Sequence, residues 1–134
     1  MLCGLVVTHG GIGKELVRVV ELVLGPVPGL AAMTNSGKSV QDLIDEIRAW
    51  TAANCGAPGD GLLLFIDDFG GSCANAAQIA AIGGTPARVL TGINLAMLLD
   101  FVTWRDTLGL DELPRRLVEK GRDAITALGP VQEG

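Results

Sequence analysis

The sequence predicts an α/β fold: a doubly wound, mainly parallel sheet with helices on both faces. Three observations lead there. Apolar runs rich in β-branched residues alternate with stretches of helical spacing along the whole chain, and such alternation implies right-handed crossovers between parallel strands. The runs are continuously apolar, as in strands buried on both sides. Hydrophobic residues make up 49% of the chain, enough to cover two faces of a sheet. At 134 residues the chain is long enough to close a core of its own, and residues 1–134 are read as one domain.

The elements follow in order. Leu2 to Thr8 is the first strand. After His9 come three glycines within four residues, and Lys14 to Leu24 then carries apolar residues at 16, 17, 19, 20, 22, 23 and 24, wide coverage for a helix lying on a sheet. Gly25-Pro26 ends it. Leu30 to Met33 is a short second strand, and Thr34-Asn35-Ser36-Gly37 is a loop by its turn chemistry. Ser39 caps a second helix whose buried side is Leu43, Ile44, Ile47 and Trp50.

Asn54 to Gly61 is the most loop-like segment, and Leu62 to Ile66 after it is the clearest central strand, stopping at Asp67-Asp68. Phe69 to Asn75 leads into a small-residue helix, Ala76 to Ile82. Gly83-Gly84-Thr85-Pro86 turns the chain into a fourth strand, Ala87 to Thr91, and Ile93-Asn94 opens a helix from Leu95 to Trp104. Asp111 caps a last helix with Pro114 in its first turn, running to Leu128 before Gly129-Pro130 and a polar tail.

Composition excludes several classes. The densest apolar run, Leu62 to Ile66, falls far short of the ~18 residues of a membrane span. Met1-Leu2-Cys3-Gly4 lacks a basic n-region and a small-residue cleavage site, so a cytoplasmic location is expected. Cys3, Cys55 and Cys73 have no CxxC spacing and only one histidine to join them, so they read as free thiols and no metal is expected. A net charge of -5 argues against nucleic acid as a partner, and Arg115-Arg116 reads as a solvated helix face. Gly37-Lys38-Ser39 imitates the end of a Walker A loop, but Ala32 stands where its first glycine belongs. Gly11-Ile12-Gly13 begins like a dinucleotide fingerprint, but Leu16 replaces the third glycine. No cofactor is expected.

The chemistry concentrates at strand ends. In a parallel sheet Thr8-His9-Gly10, Asp67-Asp68-Phe69-Gly70-Gly71-Ser72 and Thr91-Gly92-Ile93-Asn94 share one rim, the rim where ligands gather in open α/β sheets. Glycines and free N–H groups at a helix start attract phosphate. This suits nucleophilic catalysis by His9, with a carboxylate holding one ring nitrogen so that the other faces the incoming group. Asp67 fits that role better than Asp68, because side chains alternate along a strand. From the residues alone, other readings stand beside these: His9 as a hydrogen-bonded packing residue and Asp67 as a turn residue. Gly70-Gly71-Ser72-Cys73-Ala74 also falls one glycine short of a nucleophile elbow, which keeps a Ser/His/Asp hydrolase open, although the order His, Asp, Ser is not that of the α/β-hydrolases.

Taken together, Val6-Val7-Thr8-His9-Gly10, Asp67-Asp68-Phe69-Gly70-Gly71-Ser72-Cys73-Ala74-Asn75 and Thr91-Gly92-Ile93-Asn94-Leu95-Ala96-Met97-Leu98 resemble the mannose-type enzyme IIA component of the bacterial phosphoenolpyruvate-dependent sugar phosphotransferase system. The resemblance covers nearly the whole chain and keeps order and spacing. It implies that His9 accepts a phosphoryl group on Nε2 from the phosphocarrier HPr and passes it to a IIB component, with Asp67 on the other ring nitrogen. It also implies that Gly10, Phe69, Gly70, Gly71 and Ser72 surround the phosphoryl group, that membrane IIC and IID components are indirect partners, and that the chain is a homodimer. Ile66 stands where the family often has threonine, and Cys73 and Ala96 where it favours proline. A regulatory phospho-domain uncoupled from transport is the alternative within the same resemblance.

Overall fold

A computed structural model describes residues 1–130; the polar tail expected beyond Pro130 lies outside the described residues. The order is β1 (Leu2–Thr8), α1 (Ile12–Leu24), β2 (Leu30–Thr34), α2 (Val40–Asn54), β3 (Gly61–Ile66), α3 (Gly71–Ala80), β4 (Ala87–Thr91), α4 (Leu95–Trp104) and α5 (Glu112–Asp123). The four strands are parallel in the order β2-β1-β3-β4. The order reverses between β1 and β3, so the crevice of this sheet opens beyond Thr8 and Ile66.

Alternation along the strands divides the apolar residues between two cores. Cys3, Leu5 and Val7 of β1 join Leu62, Leu64 and Ile66 of β3 against α2 and α3. Val6, Leu63, Phe65 and Leu90 face the other way against α1, α4 and α5. There Phe65 and Phe101 meet edge to face with ring centroids 5.2 Å apart. Both faces are therefore covered, as the continuous apolar runs require.

Three local expectations are corrected. The small-residue helix begins at Gly71, five residues before Ala76, and ends at Ala80. Cys73, Ala74, Ala76 and Ala77 are all fully buried on the sheet, so the packed stripe starts directly after the glycine pair. The last helix stops at Asp123 instead of Leu128. Leu113, Leu117 and Gly121 supply its buried face, whereas Ile125 and Leu128 are 76% and 93% exposed, and packing more than propensity sustains a short helix.

Asp111 does not cap that helix: its own backbone is already helical and its Oδ1 accepts from Arg88 Nη2 at 2.7 Å. Arg116 is exposed, as expected of a solvated face, and in addition donates from Nε to Asp100 Oδ2 at 3.2 Å and lies over the Trp104 ring, 4.1 Å from its centroid. That side chain clamps α5 to α4; its neighbour Arg115 is exposed.

Candidate active site

The loop after β1 is shaped by a buried hydroxyl. Thr8 is fully buried, and its Oγ1 accepts from the Gly13 N–H at 2.8 Å, folding residues 9–12 outward over the strand end. Glycine suits position 13: a Cβ there would stand 3.0 Å from Thr8 Oγ1 and 3.1 Å from Val6 Cγ1, and those side chains would have to give way by a few tenths of an ångström. His9 is thus presented on the rim with its side chain 49% exposed.

Asp67, the first residue past β3, reaches across the crevice. Its Oδ2 accepts from the His9 backbone N–H at 3.0 Å and lies 3.0 Å from His9 Nδ1. With Nδ1–H donating to this carboxylate, the ring's lone pair is on Nε2. Asp67 Oδ1 is buried and accepts no hydrogen bond among the described residues, so the imidazole side carries the carboxylate's main interaction. Asp68 is exposed.

The turn after Asp67 supplies the facing wall. Gly70 caps α3 and Gly71 begins it, with φ of 85° and 78°. At Gly71 this left-handed conformation would cost an L-residue roughly 1–2 kcal/mol. Glycine there lets the N–H groups of the first helical turn stay open to an anion. Gly10 also has a positive φ, Phe69 projects from the turn at 82% exposure, and Ser72 is half-buried. Ser72 Oγ accepts from Asn35 Nδ2 at 3.2 Å. Among the described residues no hydrogen bond joins it to His9, so the linked nucleophile and base of a hydrolase triad is not assembled.

The third strand end plays a different part. Asn94 Oδ1 accepts from the Met97 N–H at 3.0 Å to cap α4, its Nδ2 donates to the Gly121 carbonyl at 2.9 Å, and Ile93 N–H donates to the Ile66 carbonyl. Those groups are spent on holding α4, α5 and β3 together. Conversely, Thr8 and Asn35 shape the site without having been singled out in the sequence. Asn35 became legible only with the knowledge that β2 lies beside β1, which brings the end of β2 onto the same rim.

Among the described residues, two sets of metal-capable donors each have their ligand atoms within 4.8 Å of one another: His9, Asp67 and Cys73 here, and Cys3, Cys55 and Asp60 at the opposite end of the sheet. In the second, Cys55 Sγ donates to the Gly61 carbonyl and Asp60 accepts from Met1 N and Ala57 N–H. Burial, then the nearby Asp67 carboxylate, push the Cys73 thiol up, and burial above all pushes Cys55 up to about 12. Both thiols are held protonated by their surroundings.

Comparison with known proteins gives a consistent set of relatives. Residues 4–118 match the family described as "PTS system fructose IIA component". The "PTS system mannose-specific EIIAB component" of Escherichia coli (strain K12) is 30% identical over 123 residues, covering 90% of this chain and 38% of that protein. The chain thus spans well under half the length of such curated relatives. Among solved structures, phosphotransferase system component EIIA from Streptococcus agalactiae superposes with a TM-score of 0.85 at 21% identity, covering 95% of this chain and 97% of that one. The mannose/sorbose specific IIA subunit of the phosphotransferase system from Enterococcus faecalis gives 0.82 at 21% identity, with 98% of each covered. These structures share the fold.

Proposed function

Given that the chain belongs to the mannose-type EIIA family of the phosphotransferase system, we propose that His9 is its phosphoryl-accepting residue and Asp67 the group that sets the histidine's reactive nitrogen. The family makes the chain a phosphoryl carrier. The observation that carries the site assignment is the 3.0 Å pairing of His9 Nδ1 with Asp67 Oδ2 at the crevice of the sheet. With Nδ1–H donating to that carboxylate, the lone pair lies on Nε2 of a half-exposed ring.

In this reading Nε2 attacks the phosphorus of phosphohistidine on HPr. The new P–N bond forms as the P–N bond to the donor breaks, and the donor imidazole leaves with the electron pair. The Nδ1 proton stays in place, and the Asp67 carboxylate balances the positive charge that phosphorylation places on the ring. Backbone N–H groups at Gly71 and Ser72, with Gly10, Phe69 and Gly70 around them, receive the phosphoryl oxygens, in keeping with the anion affinity of a helix start. Transfer to a IIB component reverses the same steps, and membrane IIC and IID components stand one stage further on. The reading takes residues 1–134 as a single IIA domain. A homodimer accords with the open edges of the sheet at β2 and β4, and sedimentation tests for a second copy.

The test is direct. Incubation with labelled phosphoenolpyruvate, enzyme I and HPr is expected to yield an acid-labile, base-stable phosphoprotein, and His9→Ala to yield none. Label retained in that variant would remove His9 from the reaction.

A further inference from the structure

We propose that Asn35 is a positioning residue for phosphoryl transfer, acting through the hydroxyl of Ser72; the inference rests on the assignment of His9 above. Asn35 is the first residue past β2, on the far side of β1 from Asp67. Its backbone N–H donates to the carbonyl of Thr8, the residue before His9, at 3.1 Å. Its side-chain Nδ2 donates to Ser72 Oγ at 3.2 Å, across 37 positions of sequence. One residue therefore ties the strand that carries His9 to the turn that faces it.

Asn35 is itself held firmly. Its carbonyl accepts from the Lys38 N–H at 3.1 Å, and Thr34 Oγ1 accepts from the Ser36 N–H and donates to Ser36 Oγ, each at 3.1 Å. The turn is closed by its own hydrogen bonds, so the backbone from which the amide projects is fixed. A supporting residue locked in this way holds a functional group to the tolerance that catalysis needs.

The polarity of the contact gives the mechanism. A hydroxyl has one proton and two lone pairs, whereas an amide NH₂ can only donate. Asn35 occupies a lone pair of Ser72 Oγ and leaves its proton for an acceptor, a role that an oxygen of the phosphoryl group on His9 fills. An aspartate of the same shape would reverse this. Its carboxylate would accept the Ser72 proton and set a negative charge near a negatively charged group.

The experiment is single-turnover transfer from phospho-HPr by rapid quench, at a temperature where every variant is folded by its thermal melt. Asn35→Ala is expected to lower the maximal rate constant about tenfold, short of the ~100-fold for losing a direct donor to developing charge, without changing the half-saturating concentration of phospho-HPr. Asn35→Asp is expected to be slower than Asn35→Ala. In a Ser72→Ala background, Asn35→Ala should cost less than about twofold more, since the two act as one unit. Wild-type rates in Asn35→Ala, an equal loss in both backgrounds, or an Asn35→Asp variant as fast as wild type would each overturn the inference. Label on His9 in the wild type together with unaffected Asn35 variants would defeat this inference alone. Label that survives His9→Ala would defeat the phosphoryl assignment and this inference with it.

Discussion

A neutral imidazole has one proton for two nitrogens, so the partner of one nitrogen decides what the other can do. At His9 that partner is a single oxygen, Asp67 Oδ2, which also accepts from the His9 backbone N–H. Backbone and ring are held by the same atom, which limits rotation about both. Asp67→Asn is expected to keep the fold and slow transfer about 10- to 100-fold, the scale on which the outer partners of functional histidines act. The amide can still orient the ring, but it cannot balance the charge of the phosphorylated imidazole. Rapid-quench transfer beside a thermal melt checks this, and unchanged rates would take Asp67 out of the site. The choice of Asp67 over Asp68 was legible because strand alternation extends one residue past Ile66. The parts played by Thr8 and Asn35 were not, because each depends on where a loop returns: Gly13 folds back onto Thr8 five residues later, and Ser72 arrives from another helix.

Polar residues before helices looked alike in the sequence at Ser39, Asn94 and Asp111, yet only the first two act as caps. Ser39 and Asn94 have extended backbones and accept from Asp42 N–H and Met97 N–H, whereas Asp111 already has helical φ and ψ and turns to Arg88 on β4. The difference lies in a competing partner on another element, which local sequence does not display. Asn94 has the additional task of joining α4 to α5 through the Gly121 carbonyl. Asn94→Ala is therefore expected to cost about 2 kcal/mol, and Asp111→Ala, which loses one surface ion pair, under about 1 kcal/mol. Urea midpoints compare them, and equal losses would contradict the assignment of the caps. Packing partners likewise set the ends of α3 and α5. α3 starts early because small side chains at 73, 74, 76 and 77 meet the sheet, and α5 stops where its buried face ends, Gly121 being its last buried residue and Ile125 being 76% exposed.

At the scale of the whole molecule, alternation of strands and helices made the parallel, doubly wound sheet legible, since right-handed crossovers leave few other arrangements. The strand order was not, because apolar runs alike in composition do not say which is the neighbour of which; yet that order opens the crevice between His9 and Asp67. One consequence is a division of labour between the ends of the sheet. The candidate chemistry gathers at the carboxyl ends, while Cys3 and Cys55 are fully buried near the amino ends, where α2 closes against β1 and β3. Burial raises the Cys55 thiol from 9.0 to about 12 in the folded chain. Between those values the unfolded chain has released the proton and the folded chain retains it. The unfolded state therefore binds fewer protons, and stability present below about pH 9 is lost as pH rises toward about 12. Cys55→Ala removes this linkage at the cost of a small cavity, about 1–2 kcal/mol near neutrality. Urea midpoints followed from about pH 7.5 to about pH 10.5 are expected to fall more steeply for the wild type than for the variant, so that the two curves draw together. Phosphoryl transfer at His9, at the other end of β1, should be unchanged in the variant. Parallel curves would mean that the Cys55 thiol ionises as readily in the folded chain as in the unfolded one.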